Sequence, residues 1–175
     1  LYLIDKAMKK LLLITSLLLA VSCSKDDEID WNDGQIRDGD GNIYTEIQIG
    51  DQVWLKEDLR TTTLNDRKTK IEKSSVVADE VSYTDFYGIF EYSLAAALLP
   101  NICPQGYRVP TIEELDNVHR ILFPNYGEWW STTVETINGK KGAYQLLYFK
   151  EYDRPIYWRE AQYKSQIRCI KEKEE

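Results

Sequence analysis

The stretch "NICPQGYRVPTIEEL", Asn101 to Leu115, decides the fold, because it places a cysteine between an alanine-rich run and the start of a helix. Thr111 and Glu114 have the Thr-x-x-Glu spacing of a capping box, in which each side chain accepts a hydrogen bond from the other residue's backbone amide. Apolar residues follow at helical spacing at Ile112, Leu115, Val118 and Leu122. The sequence therefore predicts an amphipathic helix that starts after Thr111 and ends before Pro124.

The N-terminus predicts the compartment. From Met8, which we favour as the true start, the chain reads "MKKLLLITSLLLAVSC": two lysines, an apolar run, small Ser22 and then Cys23. This order is that of a signal peptide that ends in a lipobox. The apolar run has about 11 residues, too few for a membrane-spanning helix, which needs ~20. We therefore predict a signal peptide over residues 1–22 and lipidation of Cys23.

The residues after Cys23 predict a surface location. "SKDDE" follows directly, so residues 23–35 are predicted to form a lipidated acidic tether. A lysine followed by acidic residues beside the lipidated cysteine resembles the export signal that sends some Gram-negative lipoproteins to the outer face of the outer membrane. We therefore expect a lipid-anchored protein of the outer membrane, exposed at the cell surface, with a periplasm-facing anchor as the alternative.

The net charge argues against nucleic acid as a partner. The leader contains Lys6, Lys9, Lys10 and Asp5, so its removal changes the formal charge from −7 to −9. Phosphate binding requires clustered positive charge, which so acidic a chain does not offer.

Cysteine arithmetic explains the cysteine of the first stretch. Of three cysteines, lipidation uses Cys23 and leaves Cys103 and Cys169 outside the cytosol, where disulfides persist. A bridge between them closes a long loop, which the chain-entropy model values at roughly 4 kcal/mol. The alternative is two free buried thiols.

The beginning of the domain, from Ile36, predicts a turn and two strands. "DGDGN", Asp38 to Asn42, has the Asp-Gly pairs of a hairpin turn. Ile43 and Ile49 stand where an EF-hand loop needs Gly and Glu, so we predict no calcium site there. Residues 43–49 alternate, with Ile43, Thr45, Ile47 and Ile49 predicted on the buried face and Tyr44 on the opposite one. A second strand follows around Trp54.

The middle and end of the chain predict helices followed by strands. Residues 61–82 are polar and poorly patterned, which predicts a long loop. "YGIFEYSLAAALLP" predicts a first helix over 88–99, ended by Pro100. Asn138-Gly139 is a hairpin signal between two strands, and short strands around 156–158 and Cys169 follow. Strands, two helices and strands together predict an α+β domain.

Three motifs carry a family resemblance. "CPQGYRVPTIEEL", "WWSTT" and "IRCIKE" resemble the FISUMP family, the major paralogous domain of bacterial surface lipoproteins, and the similarity runs over residues 36–172. It leaves residues 173–175 as a tail. The family is itself similar to C-type-lectin-like domains. The resemblance thus implies an α+β, C-type-lectin-like fold with two helices, short antiparallel sheets and one disulfide from the end of the first helix to the last strand.

The residues give little support for catalysis. His119 is the only histidine and falls near the end of the second predicted helix, where a cation suits the dipole. A disulfide between the two remaining cysteines leaves no thiol nucleophile. We therefore predict no enzymatic activity, no cofactor and no metal.

The remaining candidates for a site are aromatic. Consecutive residues of a strand point to opposite faces, so Trp129 and Trp130 lie on different sides of their strand. Either one ring packs inside and the other is exposed, or both rings are covered. An exposed ring can stack on a sugar or anchor a protein interface. The candidate ligand-binding residues are Trp129, Trp130, Tyr144, Tyr157 and Trp158. We expect a calcium-independent binding or adhesion module for a glycan or an envelope protein; the alternative is an assembly subunit of a surface structure with no small ligand.

Overall fold

The structure is a computed structural model, and it describes residues 31, 33–74, 80–122, 127–148 and 156–173. The predicted signal peptide, Cys23 and the tether up to residue 30 lie outside the described residues. The described part belongs to one unit, Trp31–Glu175. Among the described residues, no helix is long and apolar enough to cross a membrane.

The described residues form thirteen short strands and two helices. The strands are β1 Ile36–Arg37, β2 Ile43–Tyr44, β3 Glu46–Ile49, β4 Gln52–Leu55, β5 Glu72–Lys73, β6 Ser82–Phe86, β7 Ile89–Ser93, β8 Tyr107–Arg108, β9 Gly127–Ile137, β10 Lys140–Tyr148, β11 Ile156–Glu160, β12 Lys164–Ser165 and β13 Ile170–Lys171; the helices are α1 Leu94–Ala97 and α2 Ile112–Leu122. They build four small sheets, ordered β1-β2, β3-β4-β13-β8, β12-β7-β6-β5 and β11-β10-β9.

The predicted α+β, C-type-lectin-like fold with two helices is wrong. The protein is mostly β: its strands form four small sheets, and its helices are short. The error lies in residues 88–99, where only Leu94–Ala97 is helical. Ile89–Ser93 forms β7 instead, because its aromatic and β-branched residues pair with β6. Ser93 then caps the single helical turn by accepting a hydrogen bond from the Ala96 amide at 3.2 Å.

The second predicted helix is confirmed. Residue Thr111 donates its backbone N–H to Oε2 of Glu114 at 2.8 Å, and the amide of Glu114 donates to Oγ1 of Thr111 at 3.3 Å. The capping box therefore forms. The four apolar residues predicted to share a face are all buried. The side chain of His119 is not among those described.

The hairpin predicted at Asn138-Gly139 is also confirmed. Strands β9 and β10 pair antiparallel around it, with a bulge between Ala143 and Gln145. Asn138 and Gly139 adopt φ angles of 53° and 77°, so both residues of the turn are left-handed, as in a type I′ turn.

The buried face predicted for residues 43–49 is partly wrong. Tyr44 is buried and Ile43 is exposed, whereas Ile47 and Ile49 pack partly against the core. The reason lies at Thr45, whose backbone N–H and hydroxyl donate to the carboxylate of Glu57 at 2.9 and 2.7 Å. This contact interrupts the strand between β2 and β3, so the alternation starts again with the opposite face inward.

Two clusters of buried apolar side chains make up the core. The helix cluster consists of Trp54, Ile112, Leu115, Val118, Leu122, Trp129, Leu146 and Ile170. The disulfide cluster surrounds the two cysteines and includes Leu55, Leu64, Ile71, Tyr92 and Trp130. Trp129 and Trp130 are consecutive residues of β9 but belong to different clusters, because successive side chains of a strand point to opposite faces.

The predicted disulfide is present. Cys103 and Cys169 are bonded, with Cα atoms 6.1 Å apart and a sequence separation of 66. Both residues are buried. Cys103 follows the short helix α1 and Cys169 directly precedes β13, the last strand.

Candidate functional site

The two tryptophans of the predicted site are core residues. Trp129 is 4% exposed and Trp130 is fully buried. The indole N–H of Trp129 donates to Asp58 at 2.7 Å, and that of Trp130 donates to the carbonyl of Tyr92 at 2.8 Å. Of the two arrangements weighed from the sequence, the structure has the one in which both rings are covered. Neither ring is available to a ligand.

The other three predicted residues lie on β10 and β11 and are half-buried. Tyr144 and Trp158 are cross-strand partners, and both contact Glu135. The Tyr144 hydroxyl donates to the Glu135 carboxylate at 2.5 Å, and the Trp158 indole N–H donates to the backbone carbonyl of Glu135 at 3.4 Å. The hydrogen bond to Glu135 raises the pKa of Tyr144. Tyr157 precedes Trp158 and so points to the opposite face, under the guanidinium of Arg159. The structure therefore does not join the five predicted residues in one surface.

The acidic turn Asp38–Asn42 joins β1 and β2, as predicted. The buried carboxylate of Asp38 accepts hydrogen bonds from Asp40 N, Asn42 Nδ2 and the Tyr44 hydroxyl at 3.0, 2.9 and 2.6 Å. Burial, and then the charge of Asp38, raise the pKa of Tyr44. Protein donors thus occupy the acceptor positions of Asp38. Among the described residues, no group of three or more His, Cys, Asp or Glu side chains is placed to hold a metal ion.

Among the described residues, the two most exposed large apolar side chains, those of Tyr87 and Phe86, lie on the β6–β7 hairpin. Tyr87 is 92% exposed, Phe86 72% and Ile89 51%. We call these three residues the aromatic tip. Phe86 and Ile89 are the last paired residues of the two strands, so Tyr87 and Gly88 form a two-residue turn. The rings of Phe86 and Tyr87 meet edge to face, with centroids 4.5 Å apart and planes at 73°.

The base of this hairpin is anchored while its tip projects. The Tyr83 ring stacks on Phe90 at 5.7 Å and contacts the fully buried Tyr92 at 6.5 Å. The Tyr92 hydroxyl donates to the carbonyl of Thr61 at 2.9 Å, which ties β7 to the neighbouring loop. An ion pair of 2.9 Å between Lys73 and Asp85 joins β5 to β6. A firm base limits the conformational entropy that the tip would lose on binding a partner.

The turn of the hairpin places a tyrosine in a conformation that favours glycine. Tyr87 has a φ angle of 52° and Gly88 one of 81°. A left-handed conformation costs a residue with a Cβ atom roughly 1–2 kcal/mol, and Asn-Gly is the usual sequence of such a turn. In return the exposed Tyr87 side chain makes only the edge-to-face contact with exposed Phe86, and unfavourable residues of this kind concentrate at functional sites.

Sequence reasoning missed the aromatic tip because residues 88–99 were assigned to a helix. The signal was present in "SYTDFYGIFEYS", in which Tyr87-Gly88 separates two runs of aromatic and β-branched residues. A two-residue turn of this type predicts a hairpin. The alanine run that follows at Ala95–Ala97 supplied the helical pattern instead.

No family model, no curated protein and no solved structure matches this chain. The functional interpretation therefore depends on the residues themselves.

Proposed function

We propose that the chain is a surface-anchored lipoprotein that binds a protein partner through its aromatic tip. Three features of the sequence support an outer-membrane, cell-surface location: the lipobox at Cys23, the acidic tether and the FISUMP-like motifs. The observation that carries the binding role is the exposure of Phe86, Tyr87 and Ile89 at the end of an anchored hairpin. We propose binding without catalysis and without calcium.

The geometry of the tip favours a protein partner over a glycan. A sugar stacks best on one flat ring face, whereas the planes of Phe86 and Tyr87 are inclined at 73°. Together with Ile89 they form a protruding apolar knob. Large aromatic anchors that enter a pocket of the partner supply most of the binding energy of protein interfaces. The partner we propose therefore has a complementary apolar pocket.

The strand edges of the hairpin offer a second means of recognition. Strand β5 pairs with β6 only at Ser82 and Tyr83, and β12 pairs with β7 only at Tyr92 and Ser93. Among the described residues, the outer halves of β6 and β7 thus pair only with each other. A partner strand could add to either edge through backbone hydrogen bonds, while the tip enters a pocket.

A crosslinking experiment in the cells that produce the protein tests this proposal. A photoreactive amino acid replaces Tyr87 in the lipidated chain, and in a matched control it replaces Ile121, which is 62% exposed on helix α2. We expect position 87 to crosslink to one envelope protein and position 121 not to. We further expect Phe86→Ser to abolish the crosslink from position 87. Equal crosslinking from both positions would contradict the proposal.

Further measurements on the same variants separate the other interpretations. A crosslinked species that stays in a stable complex after detergent extraction favours the assembly subunit. Binding to a glycan array that is lost in Phe86→Ser favours a glycan at the tip. The anchor is tested independently: Cys23→Ser should shift the protein from the membrane fraction to the soluble fraction, and protease added to intact cells should digest the anchored wild type.

A further inference from the structure

A second candidate site lies away from the aromatic tip. A cleft of about 270 Å³ is lined by the N-terminal segment before and within β1, by the turn after Leu64 and by the residues that follow Cys103. The lining side chains with polar or aromatic groups are Trp31, Gln35, Arg37, Asn65, Arg67 and Gln105. Three segments that are distant in sequence therefore meet at one polar cleft.

The walls of this cleft are held in place by hydrogen bonds. The backbone N–H of Asn65 donates to the carbonyl of Asn101 at 2.9 Å, which joins the turn to the segment of the disulfide. Within the turn, the Asp66 carboxylate accepts from the amides of Lys68 and Thr69 at 2.9 and 2.8 Å. Rigid walls lower the entropy that is lost when a ligand binds.

Arg67 lines the cleft and contacts Trp31, another lining residue. Its guanidinium lies 4.1 Å from the centroid of the Trp31 ring, a cation–π contact. Among the described residues, no carboxylate or carbonyl oxygen contacts the guanidinium. Arg67 also adopts a φ angle of 60°, a conformation that favours glycine. Residues other than glycine in this conformation concentrate at functional sites.

The charge of the cleft is opposite to that of the chain. Two arginines line it, and no aspartate or glutamate does among the described residues, although the chain carries a net charge of −7. Arg37 is neutralised by Asp33, whose carboxylate lies 2.6 Å from Nη2. The Nε–H of Arg37 is buried and has no hydrogen-bond partner among the described residues. Among the described lining residues, the positive charge without an ion-pair partner is therefore that of Arg67.

We propose that this cleft binds a carboxylate-bearing sugar unit. A guanidinium pairs with a carboxylate through two parallel hydrogen bonds. The side-chain amides of Gln35, Asn65 and Gln105 can donate to and accept from hydroxyl groups, and the edge of Trp31 offers an apolar surface to a sugar ring. A bare inorganic anion would use the arginine alone and leave the amides and the ring without a role.

A binding measurement with matched ligands tests the site. Isothermal titration of the mature chain, in buffer with a calcium chelator, compares sodium galacturonate with galactose, which has a hydroxymethyl group in place of the carboxylate, and with sodium sulfate. We expect galacturonate to bind at least about tenfold more tightly than either. An Arg67→Gln variant should lose this preference, because the charge-assisted hydrogen bonds are gone, and Arg67→Lys should keep part of it.

Two controls make the outcome decisive. Lys68→Gln removes one positive charge from the same turn, at a residue that does not line the cleft, and should change the affinity less than about twofold. Tyr87→Ser should leave galacturonate binding intact, which separates this site from the aromatic tip. Circular dichroism confirms that each variant is folded. Equal affinity for sulfate, equal affinity for galactose, or no binding of galacturonate at millimolar concentration would each overturn the proposal.

Discussion

Tyr87 and Asn138 occupy the same position of two similar turns. Their φ angles are 52° and 53°, and each precedes a left-handed glycine, Gly88 or Gly139, after which the return strand begins. Asn138 is the residue that this turn favours, whereas Tyr87 is not. The protein thus contains both the favourable and the unfavourable version of one turn, and the unfavourable one carries the aromatic tip.

This pair predicts a stability change of unusual sign. Tyr87→Asn should stabilise the domain by about 0.5–1 kcal/mol, because asparagine tolerates the left-handed conformation that tyrosine resists. Asn138→Tyr should destabilise it by a similar amount. Urea unfolding of the mature chain measures both. With the photoreactive amino acid placed at position 86 instead, Tyr87→Asn should also weaken crosslinking to the partner, so stability and binding would change in opposite directions. A destabilised Tyr87→Asn variant would indicate a structural role for the tyrosine.

The contact between Asp58 and Arg168 supports a second prediction. The Arg168 side chain is 8% exposed, and its Nε lies 2.7 Å from Oδ1 of Asp58, which also accepts from the Trp129 indole. Asp58→Asn should cost about 1–2 kcal/mol of unfolding free energy, because it replaces the charge-assisted hydrogen bond to the Arg168 guanidinium with a neutral one. Asp51→Asn, at an exposed residue of the β3–β4 turn, is the matched control and should change the unfolding free energy by less than about 0.5 kcal/mol.

The disulfide predicts a large dependence on reductant. Reduction of the bond between Cys103 and Cys169 should lower the unfolding free energy by about 4 kcal/mol, since the unfolded chain regains the entropy of a long loop. The Cys103→Ala/Cys169→Ala double variant should show the same loss and no further effect of dithiothreitol. Urea titrations with and without reductant measure the difference. A wild-type midpoint that does not move on full reduction would argue against the stabilising role.

The capping box predicts how stability depends on pH. The hydrogen bonds from Arg108, at 2.8 and 2.7 Å, lower the pKa of Glu114, against the opposing effect of burial. A carboxyl whose pKa is lower in the folded state stabilises the fold above its unfolded pKa, near 4.5. This stabilisation is lost as the pH falls through the folded value.

The corresponding measurement compares Glu114→Gln with the wild type across pH. The variant should lose about 1 kcal/mol at pH 7, from the cap and the ion pair, and much less below pH 4. Glu113→Gln, on the exposed face of the same helical turn, serves as the control and should follow the wild type within about 0.5 kcal/mol. A Glu114→Gln deficit that stays constant from pH 7 to pH 3 would show that the carboxylate charge does not contribute.

Local signals in the sequence predicted several elements correctly. The capping box at Thr111 and Glu114, the Asn138-Gly139 turn and the disulfide depend on a few residues whose chemistry permits one main solution. The first helix failed because alanine-rich Ala95–Ala97 extended a helical pattern into residues that pair with β6. Pairing with a distant strand is a tertiary interaction, and it overrides local propensity.

The candidate sites could not be read from the sequence for a related reason. Trp129 and Trp130, which were predicted to bind a ligand, lie on a strand whose two faces are both buried at this point. Whether other residues cover each face depends on the whole fold and not on the local sequence. The cleft at Arg67 joins three segments that no spacing relates. Only the aromatic tip had a local signature, in Tyr87-Gly88.

The division of neighbouring side chains between the two core clusters restricts which changes in chain length the protein can accept. Trp54 and Leu55, like Trp129 and Trp130, fill opposite sides of their strands. A single inserted or deleted residue in β4 or β9 would exchange the contents of both clusters at once. Variants of this domain should therefore differ in length outside these two strands, where an added residue changes a loop and leaves the inward-facing side chains in register.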